Sequence, residues 1–119
     1  MKLTVDYKEQ KFGIIYIDFG NGCFPSDGWE DFYVYILEDW KDVLSENSDL
    51  VSSSFKLYFM DGAYYLNCEK KDTYLTVQGI DEKRNNALFE ETVIFTDFRE
   101  TVENKLKYIL ESKNEAYKT

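Results

Sequence analysis

The chain reads as an α+β domain: a mostly antiparallel sheet with two helices packed on it, in the order ββ-α-ββββ-α. Three observations predict this. Short alternating segments rich in Tyr, Phe, Ile and Val recur through most of the chain. Two longer stretches, near 27–44 and 97–110, instead repeat their apolar residues at helical spacing. With 119 residues, the chain has the size of one domain, and no Pro-rich, Ser-rich or low-complexity linker divides it. A single α+β domain over 1–119 is therefore expected, with a frayed tail from about 112.

The elements follow in order. "KLTVDYK" sets Leu3, Val5 and Tyr7 against Thr4, Asp6 and Lys8, the pattern of a half-buried strand. "GIIYIDF" repeats it with Ile15, Ile17 and Phe19, and "KEQK" between them permits a hairpin. "GNG" at 20–22 breaks regular structure. A helix is expected from Asp27, with Asp27 as N-cap and Glu30 completing a capping-box pattern. Its wheel puts Trp29, Phe32, Tyr33, Ile36, Trp40, Val43 and Leu44 on the core side. "SENSD" ends it.

"SSFKLYFMDGAYYLNCE" is the clearest hairpin. Asp61-Gly62 suits a two-residue type I′ turn. That turn pairs Phe59 with Tyr64, Leu57 with Leu66 and Phe55 with Cys68, all on one face, so pattern and turn agree. "TYLTVQG" (73–79) continues the meander with Leu75 and Val77 inward, and "ALFEETVIF" (87–95) adds a further strand. A second helix is expected from about Asp97, with Phe98, Val102, Leu106, Ile109 and Leu110 on one face.

Composition narrows the function. Net charge is −9 and the longest basic runs are two residues, so nothing resembles the basic patch that phosphate binding requires. An anionic membrane surface would repel the chain, and it contains no apolar run long enough to span a bilayer. The N-terminus lacks a secretion signal's apolar core, so a cytoplasmic location is expected. Histidine is absent, which removes the commonest general base and metal ligand. Cys23 and Cys68 form no metal-binding pair and read as free thiols that no activity needs. EF-hand loops, GxSxG and GxGxxG are also missing. No cofactor, metal or catalytic residue is assigned. Asp31, Glu38 and Asp42 are the right type for carboxylate catalysis, but a solvated helix face explains them more simply.

One feature is unusual. Between Asp27 and Asp49 stand eight acids and one base, Lys41, which account for −7 of the total −9. Asp31, Tyr35, Glu38 and Asp42 form the stripe opposite the core, flanked by Asp39 and Glu46. Like charges at i,i+4 destabilise a helix, as do acids late in it. These six residues are the expected contact surface for a cationic protein, with Tyr35 as an aromatic anchor.

The segment "CFPSDGWEDFYVYILEDWKDVL", through Phe24, Pro25, Trp29, Asp31, Phe32, Ile36, Leu37 and Trp40, resembles a stretch of bacterial immunity proteins. Those proteins are encoded beside polymorphic toxins, as in contact-dependent growth inhibition. "FKLYFMDGAYYLNCE" is similar to their hairpin, and the resemblance covers roughly residues 14–70. It implies a cytoplasmic antitoxin that binds the C-terminal domain of one cognate toxin, in many cases a basic nuclease. The stripe residues rest on the charge argument, Asp31 alone also on the motif. Two other readings stay open. One is an acidic interaction or regulatory module without a toxin partner, including a homodimer through a free sheet edge. The other is a carboxylate-dependent enzyme.

Overall fold

The computed structural model describes the backbone of residues 1–9, 11–84 and 86–117, and side chains within these ranges as far as 111. It is α+β and mostly antiparallel, but with two four-stranded sheets where the sequence suggests one. In the first sheet, β1 (Lys2–Glu9) pairs with β2 (Phe12–Asp18), matching Leu3 to Ile17 and Val5 to Ile15. The other edge of β2 is shared by two short strands. β3 (Cys23–Phe24) pairs with Ile17 and Asp18, and β4 (Glu30–Asp31) with Gly13 and Ile14. Helix α1 (Tyr33–Asn47) leads to the second sheet, a meander of β5 (Ser52–Tyr58), β6 (Tyr64–Lys71), β7 (Tyr74–Asp81) and β8 (Asn86–Ile94), closed by α2 (Phe95–Tyr117). The backbone of α2 stays helical past the expected fraying point near 112; the side chains there lie outside the described residues.

The hairpin register is as the alternation requires: Phe55 faces Cys68 and Leu57 faces Leu66. Its turn differs from type I′. Gly62 has no positive φ, and the closing bond runs from Tyr64 N–H to Asp61 O at 3.0 Å. The Asp61 carboxylate accepts from Ala63 N–H at 3.1 Å, so the aspartate side chain organises the bend. A four-residue loop, Met60–Ala63, thus keeps the register that a two-residue turn would have set.

Both helices and the first sheet gather on the inner face of the meander. Trp40 of α1 is fully buried, meets Phe59 edge-on at 5.3 Å and donates its indole N–H to Tyr58 O at 2.8 Å. Phe24 of β3 lies against Gly79 of β7, where a Cβ would stand 2.8 Å from the ring. Phe19 stacks on Phe89 at 5.3 Å. Phe98, Val102, Leu106 and Ile109 complete the core from α2, while Leu110 stays exposed.

The start of α1 corrects the sequence reading. Residues 27–32 are not helical. Trp29 N–H bonds Ser26 O in a turn, where Gly28 takes φ +70°, and Trp29 O accepts from Ile15 N–H at 2.9 Å. Glu30 and Asp31 then extend as β4. Strand pairing with β2 therefore overrides the local capping box, and the side chains of Asp27 and Glu30 cap nothing. Phe32, expected in the core, is 46 % exposed. Val34 and Leu37, absent from the expected core face, are buried because α1 is packed by β2, β5 and α2 at once.

Candidate functional site

The expected contact surface separates into two parts. Tyr35, Glu38, Asp39, Asp42 and Glu46 all lie on the solvent face of α1. Asp31 does not. It belongs to β4, is only 5 % exposed, and is excluded from the contact surface as a correction. Its Oδ1 accepts from Phe32 N–H at 2.8 Å; its Oδ2 accepts from Trp29 Nε1 at 3.0 Å and from Met60 N–H at 3.3 Å. One carboxylate thus ties the helix entry to the tip of the β5–β6 hairpin, a stapling role. Asp31→Ala would leave these donors without their acceptor. It should lower unfolding stability by about 2 kcal/mol, read as a denaturant midpoint shift; a change under about 0.5 kcal/mol would remove Asp31 from this role.

Glu38, Asp42 and Glu46 follow one another at i,i+4, with Asp39 beside them. None makes a salt bridge with any described residue. Lys41, the one base of α1, points into the groove between α1 and α2, which also holds Arg99, Glu103, Lys107 and Glu111. The first turn of α1 contains no acid and the last no base, so the helix dipole is not complemented at either end. The outer face of the meander behaves differently. There Asn67 donates to Gln78 at 3.2 Å, Gln78 to Glu90 at 2.7 Å, and Thr76 and Thr92 share a bond at 3.1 Å. Five polar side chains of that face pair with one another; the α1 face leaves four carboxylates to solvent.

At its N-terminal end the acidic stripe meets a group of aromatic side chains that the wheel did not bring together. Tyr35 is 47 % exposed and lies beside Phe32, which meets Phe12 edge-on at 5.4 Å. The Lys11 ammonium sits 4.4 Å from the centre of the Tyr35 ring and donates to its hydroxyl at 3.0 Å. Tyr35 first, and Glu38 more weakly, raise the Lys11 ammonium above its usual pKa. Lys11 and Tyr35 belong to different elements, so spacing within either segment carried no sign of this contact.

Nucleophilic groups are poorly placed. Burial pushes the Cys68 thiol far up, and its S–H points at Leu66 O. Desolvation, then Asp18 and Asp27, raises Cys23. Burial, then Tyr7 and Asp6, pushes Tyr33 up to about 12. Among the described residues no three Cys, Asp or Glu side chains come together as a metal site. Both cysteines are free. In the folded protein, a thiol reagent at neutral pH should modify Cys23 more slowly than free cysteine and leave Cys68 untouched until denaturant is added. Rapid labelling of Cys68 under native conditions would contradict its placement.

Compared with family models, curated proteins and solved structures, the chain matches none of them. No described helix is long and apolar enough to cross a membrane.

Proposed function

We propose that this chain is a binding protein of the immunity class, an antitoxin that occludes the active domain of one cognate basic toxin. The observation that supports it is the solvent face of α1, where Glu38, Asp39, Asp42 and Glu46 stand exposed with no described cation paired to them. Such a row lowers helix stability slightly and gains nothing within the chain. Its return is intermolecular: a negative field that speeds encounter with a basic surface, and carboxylates available to pair at contact. The resemblance of residues 14–70 to immunity proteins supplies the partner class, the cytoplasm as the place of capture, and occlusion as the means. On this reading the protein binds its partner and catalyses no reaction.

The test is co-purification with the product of the gene adjacent to this chain's own and, where that product carries a basic toxin domain, assay of the toxin with and without this chain. The expected result is a complex weakened by salt and a silenced toxin. A complex insensitive to salt would point to an interaction module using another face. No complex would reject the immunity reading.

A further inference from the structure

Tyr7, Lys8, Glu9, Lys11, Phe12, Phe32 and Tyr35 line a surface groove of about 530 Å³ between the first hairpin and the start of α1. Three of its aromatic residues, Tyr7, Phe32 and Tyr35, are 46–48 % exposed. Single exposed aromatics are ordinary, but several around one groove mark a surface built to be covered. The cation already there is the chain's own. Lys11 reaches across from the hairpin to lie over the Tyr35 ring, with its ammonium on the phenol oxygen and under the influence of Glu38. Lys8 is engaged and neutralised by Glu30. If Lys11 is set aside, the one remaining charge of the lining is Glu9, beside the aromatic rings. That combination favours a cation: the ring faces attract it and the carboxylate neutralises it.

We propose that this groove is an aromatic cation site for an arginine side chain of the partner, and that Lys11 fills it as a stand-in while the protein is free. The proposal rests on the reading of the chain as a binder of a basic protein and names its anchor. A guanidinium is planar, weakly hydrated and able to stack on the Tyr35 ring, so it exploits the site better than lysine does. Lys11 then acts as a competitor: it keeps the rings covered in the free protein and lowers apparent affinity by the fraction of time it occupies the site.

The test of the site itself needs no toxin. An acetylated, amidated Gly-Arg-Gly peptide is titrated into wild-type protein, Lys11→Met and Lys11→Met/Tyr35→Leu, with aromatic ring resonances followed by NMR and the Gly-Gln-Gly peptide as control. Lys11 and Tyr35 are exposed, and dispersed backbone spectra report that each variant is folded. Lys11→Met should bind the arginine peptide at least threefold more tightly than wild type, about the scale of one exposed cation–π contact. Saturable shifts should appear at Tyr35, Phe32 and Phe12, and the Tyr35→Leu change should abolish them. Absence of saturable shifts in folded Lys11→Met, equal shifts with the glutamine peptide, or retention of binding without Tyr35 would overturn the site. Arginine binding in the groove with no toxin complex would uphold the site and reject the immunity reading; a salt-sensitive toxin complex unaffected by Tyr35→Leu would do the reverse.

Discussion

Replacing Trp40 with alanine should destabilise the fold by about 3–5 kcal/mol, the range for deleting a fully buried large aromatic. Trp40 is 0 % exposed and is where α1, the meander and the hairpin tip meet. Three losses add together. The cavity left between α1 and β5 cannot close without moving a helix. The edge-on contact with Phe59 at 5.3 Å disappears. Tyr58 O loses the indole N–H at 2.8 Å. Against a typical domain stability of about 5–15 kcal/mol, much of the folded population is at risk. Chemical denaturation with circular dichroism measures it. Trp40→Phe separates the contributions: it keeps most of the packing, gives up the hydrogen bond, and should cost roughly 1–3 kcal/mol. A cost under about 1 kcal/mol for the alanine variant would mean that α1 does not seat on the meander through this residue.

The Glu38→Lys/Asp42→Lys variant should associate with the basic partner on the order of 100-fold more slowly at low salt, within the 10–10³ range of electrostatic steering. Both residues lie at the middle of the exposed stripe, opposite the buried Ile36, Leu37 and Trp40, so the core is spared. Folding stability should stay within about 0.5 kcal/mol: the 38/42 pair stays like-charged, the repulsions of residue 42 with Asp39 and Glu46 become attractions, and one new repulsion arises between residue 38 and Lys41. Raised salt should slow wild-type association and shrink the gap between the two proteins, since exposed charges are screened beyond about 10 Å at 0.1 M salt. The measurement is an association rate against the partner at two ionic strengths. A folded variant with wild-type rates and salt dependence would reduce the acidic face to a solubility device and move binding elsewhere.

The parts of this protein legible in its sequence are those decided over a few residues. Alternation put Leu3 and Val5 on one face of their strand and Ile15 and Ile17 on one face of the next, and with the turn it paired Leu57 with Leu66 and Phe55 with Cys68, because a strand's period assigns each side chain a face whatever the rest of the chain does. The exposed acids at 38, 39, 42 and 46 were legible for the same reason: helical periodicity holds once the helix exists. The turn at Asp61 shows the limit. Its register was readable, but its conformation depended on the Asp61 side chain bonding Ala63 N–H rather than on the dipeptide alone.

Tertiary structure decided where α1 begins and what Asp31 does. A capping box at Asp27 and strand pairing at Glu30–Asp31 compete for the same backbone, and the hydrogen bonds offered by β2 settle the contest from outside the segment. That choice turns Asp31 inward onto Trp29, Phe32 and Met60 and leaves Phe32 outward beside Phe12. It also allows Lys11 to reach Tyr35, making a cation–aromatic site from two elements. Local sequence reports the preferences of a segment for its own bonds. It carries no record of the donors and acceptors that distant strands bring to it, and here those distant groups determine which acids face the solvent and which one is structural.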